Sequence, residues 1–144
     1  MLLPSVPPAV IRPALPKPRP QLAATAQASP RVTGVPLNAL RGAGESRFLG
    51  PGGAPRLVPL APFNPKGKPI VFIHGILGDP ADEEMLIHDA QARGMQVWAM
   101  AYDTVGKGAQ ANAAGFATEM RKLGDRGVRD VTVVAHSLGG MTFK

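Results

Sequence analysis

The stretch Asp130-Val-Thr-Val-Val-Ala-His-Ser-Leu-Gly-Gly140 constrains the fold of this chain more than any other. Residues 131–134 are apolar or β-branched, the composition of a strand buried on both faces. They run directly into Ala135-His136-Ser137-Leu138-Gly139. A buried strand followed by small-x-Ser-x-Gly is the pattern of a nucleophile elbow, a tight strand-to-helix turn that lifts a serine hydroxyl into a cleft. The turn brings two backbones close together, so the residues two before and two after the serine must be small, and Ala135 and Gly139 are. In such a turn the amide of the following residue, Leu138, faces an oxyanion developing at the serine. The competing reading of Ser137 is a side chain that N-caps the last helix.

Upstream the chain alternates strands with helices. Pro69-Ile-Val-Phe-Ile73 is a short β-branched and aromatic run ending at His74-Gly75, which predicts a buried strand and a turn. Asp79 suits a helix N-cap and Pro80 the first helical position, so a helix is expected over 80–93, closed by Gly94. Residues 95–102 form the second predicted strand. Ala113, Phe116, Ala117 and Met120 then recur at helical spacing and predict an apolar face on a second helix. This order implies an α/β fold with a parallel sheet and right-handed crossovers, in which ligands bind beyond the carboxyl ends of the strands. His74-Gly75 and His136-Ser137 both fall at that end.

Composition divides the chain near residue 68. Only Pro80 of the sixteen prolines lies beyond Pro69, and residues 1–69 carry nine Lys/Arg against a single acid, Glu45. The net charge of +6 therefore belongs to the first half. Residues 1–68 read as a Pro/Ala/Gly-rich basic leader without fixed structure, because proline fixes φ and removes backbone donors. Its best strand candidate, residues 56–62, is confined to a sheet edge by Pro59. Pro-x-x-Pro spacings could serve a proline-recognition module, but a linker is the simpler reading. The positive charges are scattered among prolines with no interleaved aromatics, so nucleic acid is not an expected partner. Without cysteine there is no disulfide or thiol chemistry, and no metal-ligand spacing or cofactor motif is visible. No apolar run approaches the ~20 residues of a membrane span, and prolines interrupt any signal-peptide core. The compartment is not identified.

His74-Gly-x-x-Gly78 after one core strand and Ala135-His136-Ser137-x-Gly139-Gly after another resemble the α/β-hydrolase superfamily, most closely its bacterial triacylglycerol lipases and lipase-like esterases. The resemblance covers residues 69–144. It implies a three-layer sandwich, here its N-terminal part, with Ser137 as nucleophile and the Ile76 and Leu138 amides as the oxyanion hole. His74, Gly75, Gly78, Ala135, His136 and Gly139 support the motifs. The implied chemistry is hydrolysis of an acyl ester, with a lipid as one candidate substrate. An acyltransferase or amidase on the same scaffold, or a non-catalytic module of this fold, are the alternatives.

In that superfamily an acid and then a histidine follow the serine in chain order. Seven residues follow Ser137 and none is an acid or a histidine. His136 belongs to the elbow, His88 to a helix surface, and Asp103 reads as a loop cap. Loss of a triad histidine costs about 10⁶ in turnover. The expectation is thus the N-terminal part of a longer hydrolase, inactive by itself. The strand over 131–134 should have an open edge and lower solubility.

Overall fold

The computed structural model describes residues 33–144. One sheet has the strand order β1-β3-β2-β4, with β1 at Arg56–Pro59, β2 at Pro69–Ile73, β3 at Gln96–Ala101 and β4 at Thr132–Ala135. The helices are α1, Glu84–Ala92, α2, Ala109–Asp125, and α3, Leu138–Thr142. Strands β2, β3 and β4 are parallel, and β2 lies between the other two as their sequence order predicts.

Strand β1 runs antiparallel to β3, so the sheet is mixed and the expectation of a parallel sheet is corrected. The expectation came from strands separated by helices. Residues 60–68, which join β1 to β2, contain no helix and are too few for a parallel crossover. Strand β1 does take the edge position that Pro59 requires.

Side chains alternate across the sheet and build two cores. Ile70 and Phe72 of β2 and Val97 and Ala99 of β3 pack with Ile87 and Ala90 of α1. Val71 and Ile73 of β2 and Trp98 and Met100 of β3 pack on the other side with Phe116 and Leu123 of α2. Continuous apolar runs in β2 and β3 follow from burial on both faces.

Residues 33–68 contribute to this structure, although the composition placed them in the leader. Leu37, Leu40, Val58 and Leu60 belong to the α1-side core, and 3₁₀ turns cover Leu37–Leu40 and Gly42–Phe48. Their Gly and Pro content disfavours long helices, yet spaced leucines suffice to anchor short turns on an apolar surface. The densest proline tract and the alanine-rich stretch before residue 30 lie outside the described residues.

The expected helix over 80–93 begins as a 3₁₀ turn, Pro80–Glu83, and continues as α1. Asp79 caps it: its carboxylate accepts from the Ala81 amide at 2.7 Å, and Asp82 reaches back to the Asp79 amide at 3.1 Å. Gly94 ends it at φ 73°, a left-handed conformation that favours glycine.

Helix α2 turns a different face inward than its apolar spacing predicts. The buried positions are Asn112, Phe116, Glu119 and Leu123, while Ala117 faces solvent. Two polar groups outcompete alanine because each satisfies a buried backbone group. Asn112 Nδ2 donates to the Asp103 carbonyl at 2.8 Å, and Glu119 accepts from the Leu57 amide at 2.8 Å.

Candidate active site

Ser137 sits where β4 turns into α3, with φ 50° and ψ −119°. This combination is forbidden to most non-glycine residues and persists only when neighbours over-determine it. Behind it, the His136 amide donates to the Ile73 carbonyl at 2.9 Å, which extends the β2–β4 pairing into the turn. Ahead of it, the Gly140 and Met141 amides both donate to the Ser137 carbonyl, at 3.0 and 3.3 Å, and start α3. Ser137 makes no side-chain capping bond, which removes the N-cap reading. Its residue surface is exposed, as are those of Ala135 and His136.

Glycine is required at Gly139 by close approach. A Cβ there would stand 2.7 Å from the His74 carbonyl oxygen and 2.8 Å from that of Ile73. The end of β2 and the start of α3 therefore touch backbone to backbone. Gly140 meets no such restriction, since its nearest neighbour would lie 3.8 Å away.

The His74-Gly-Ile-Leu-Gly78 turn lies against the elbow. A Cβ on Gly75 would come within 3.1 Å of the Ser137 Cβ and 3.2 Å of His136 Nδ1. The turn closes with the Gly78 amide donating to the Gly75 carbonyl at 3.2 Å, and Leu77 takes φ 58°. A side chain at Gly78 would displace the Asp82 carboxylate, which bonds the Asp79 amide. The Leu77 amide donates to Thr104 Oγ1 at 3.0 Å, tying the turn to the loop after β3. Among the described residues, neither the Ile76 nor the Leu138 amide donates to a protein acceptor. The two polar motifs read from sequence are thus adjacent at the carboxyl edge of the sheet.

The three histidines have separate environments. His74 is 1% exposed, its Nε2 2.6 Å from Glu45 Oε1 and its Nδ1 3.0 Å from the Gly75 carbonyl. Both ring nitrogens face acceptors, an arrangement that favours the doubly protonated imidazolium beside a carboxylate. Burial opposes that charge most strongly, but the Glu45 hydrogen bond and charge outweigh it, with help from Gly75 and Asp79. The net effect raises the His74 pKa above its ordinary value. His136 is exposed, its Nδ1 3.6 Å from Glu83 Oε1, and His88 on α1 is exposed, 3.5 Å from Glu84 Oε1.

Glu45 is the residue that sequence reasoning missed. Oε1 accepts from His74 Nε2 and also from the Tyr102 amide at 3.0 Å, just past the end of β3. The Tyr102 hydroxyl donates to the His74 carbonyl at 2.5 Å, and the two rings stack with centroids 4.5 Å apart. Burial, and then the Glu45 charge, push the Tyr102 pKa up to about 12, so it remains a donor. The available signal was that Glu45 stands alone as an acid in a basic segment. Asp103 is a loop cap as expected: Oδ1 accepts from the Gly106 and Val105 amides at 2.7 and 2.9 Å, which hold its carboxyl below the usual range.

A cavity of ≈ 230 Å³ opens elsewhere, between β1 and α2, with Arg56, Trp98, Glu119 and Lys122 in its wall. None of the elbow residues lines it. Among the described residues no helix is long and apolar enough to cross a membrane, and no three His, Asp or Glu side chains cluster as metal ligands.

No family model matches the chain, and no curated protein does. Among solved structures it is similar to the Bacillus licheniformis lipase BlEst2 in its propeptide form and in its mature form. Both comparisons have a TM-score of 0.49 and 26% identity over 65% of this chain. The chain covers 22% of the propeptide-form chain and 40% of the mature one, less than half of either. The functional reading therefore stands on the site itself.

Proposed function

We propose that this chain carries the nucleophile and oxyanion hole of a serine carboxylester hydrolase of lipase or esterase type. The observation that supports it is the backbone of Ser137, strained at φ 50° and ψ −119° with its side chain in no capping bond. A serine held this way at no structural advantage is a candidate nucleophile.

In the proposed reaction the Ser137 hydroxyl oxygen attacks an ester carbonyl carbon. The Ile76 and Leu138 amides, which have no protein acceptor among the described residues, donate to the carbonyl oxygen as it becomes an anion. The proton lost by the serine hydroxyl is taken up by the departing alkoxide as the ester C–O bond breaks, which releases the alcohol and leaves an acyl-serine. Water then adds to the acyl carbon, the carboxylic acid departs and the serine oxygen regains a proton. Exposed Ile76 and Leu77 on one loop and Val105 on the next favour an apolar acyl group. The general base is assigned to none of the three histidines. His74 is enclosed with Glu45, while His88 and His136 face carboxylates on the surface.

The test is covalent capture of the full-length natural protein by a fluorophosphonate, whose phosphoryl oxygen takes the oxyanion position. Labelling should map to Ser137 and vanish in Ser137→Ala. Undiminished labelling of that variant refutes the nucleophile assignment.

A further inference from the structure

The proposed oxyanion turn is held by a buried triad of side chains that the proposed chemistry does not use. Glu45, His74 and Tyr102 come from three separate segments: the 3₁₀ turn Gly42–Phe48, the end of β2 and the end of β3. Their bonds close a ring. His74 donates to Glu45 at 2.6 Å, Glu45 accepts from the Tyr102 amide at 3.0 Å, and the Tyr102 hydroxyl returns to the His74 carbonyl at 2.5 Å.

Two further bonds stitch the Glu45 turn to the same edge. The Gly42 amide donates to Asp79 Oδ2 at 2.6 Å, and Arg41 pairs with Glu84 at 2.7 Å. Glu45 is itself buried, with 8% of its surface exposed. What it reaches is the residue that sets the turn. His74 spends its Nδ1 proton on the Gly75 carbonyl, and its own carbonyl abuts Gly139 of α3. Gly75 in turn abuts Ser137. A shift of the His74 backbone would therefore displace both sides of the site together.

We propose that Glu45 is a positioning residue for the oxyanion hole, acting through His74 to hold the peptide units of Gly75 and Ile76 against the Ser137 elbow. This inference rests on the hydrolase reading of the site. Glu45 fixes the His74 ring by a charge-assisted bond, and the ring fixes the direction of the Gly75 carbonyl. Because the Gly75 carbonyl and the Ile76 amide belong to one planar peptide unit, orienting one orients the other. That is how a carboxylate on a distant turn sets the aim of a donor it never touches.

The experiment compares Glu45→Ala, Glu45→Gln and Ser137→Ala with the parent full-length protein by two readouts. The first is steady-state hydrolysis of p-nitrophenyl butyrate. Glu45→Ala should lose tenfold or more in kcat with KM within about twofold, since the oxyanion contact strengthens in the transition state. Glu45→Gln retains an oxygen acceptor for His74 and should recover most of the loss. The second readout is the ¹⁵N amide spectrum, which needs no activity. Glu45→Ala should shift the Gly75, Ile76 and Leu77 resonances and speed their hydrogen exchange, with Glu45→Gln close to the parent. If Glu45→Ala does not fold, Glu45→Gln takes its place: its KM should stay within about twofold of the parent with its residue 75–77 amide signals close to the parent's, and a raised KM or displaced signals overturn the proposal. Unchanged amide signals at residues 75–77 in a folded Glu45→Ala protein overturn it as well. Hydrolysis that persists in Ser137→Ala refutes Ser137 as the nucleophile instead, and the amide spectrum still decides the role of Glu45.

Discussion

Ser137, Gly139 and Glu45 each occupy a position where one atom decides the outcome. Gly139→Ala would push a methyl into the His74 and Ile73 carbonyls, which are backbone and cannot swing aside. We expect this variant to lose fluorophosphonate labelling and to unfold at lower urea than the parent, whereas Gly140→Ala should behave like the parent. Removing one partner of a buried ion pair leaves the other uncompensated and costs about 3–5 kcal/mol. Glu45→Ala should show a loss of that order in urea denaturation. The pair also makes stability depend on pH. The His74 pKa is raised in the folded state above its ordinary 6.5. Its contribution is therefore complete below about 6.5 and declines as pH rises through the folded-state value. The thermal midpoint should fall on the alkaline side of 6.5, and Glu45→Gln should flatten that slope. A midpoint that rises across the same interval contradicts the cationic assignment of His74.

Helix α2 shows that an element's buried face follows its partners as much as its own periodicity. Phe116 is 1% exposed and packs edge-on against Tyr102 with centroids 4.9 Å apart, so Phe116→Ala should cost about 3–5 kcal/mol. Glu119→Ala leaves the Leu57 amide buried without its acceptor, a loss of about 1–3 kcal/mol. Glu119→Gln should restore most of that, and chemical denaturation of the pair separates the hydrogen bond from the charge. Helix α2 also approaches closely at Gly115, where a side chain would overlap the Pro55 ring. The apolar spacing at 113, 116, 117 and 120 located the helix. It misjudged the phase, because alanines contribute little burial and two polar groups had backbone atoms to satisfy.

At the scale of the molecule, the carboxyl edge of the sheet carries both polar motifs, and both halves of the chain build it. A polypeptide beginning at Pro69 would lack Leu37, Leu40, Val58 and Leu60 from one core and the Glu45 anchor from the site. It should give no cooperative urea transition under conditions where residues 33–144 do. The lateral edge strand across the sheet from β1 is β4, whose outer side is unpaired among the described residues and whose side chains are exposed or half-buried. This differs from a strand buried on both faces, and an open strand edge templates association. The 144-residue polypeptide should therefore elute from a sizing column as concentration-dependent assemblies. Thr132→Lys, at an exposed position of that strand, should shift it toward monomer.

Local chemistry was legible in the sequence wherever its cause lies within a few residues. Small residues around Ser137 announce a tight turn, Asp79-Pro80 announces a helix start, and apolar runs announce β2 and β3. The adjacency of the two motifs was also legible, since parallel strands bring their carboxyl ends to one edge. The tertiary structure alone decided the rest. Glu45 meets His74 across 29 positions and Leu57 meets Glu119 across 62, and no periodicity or spacing records such pairings. The direction of β1, the ordered part of the basic segment and the phase of α2 depend likewise on which buried groups find partners. Sequence by itself determined where a serine could be strained between a strand and a helix; only the packed sheet decided what holds the His74–Gly78 turn against it.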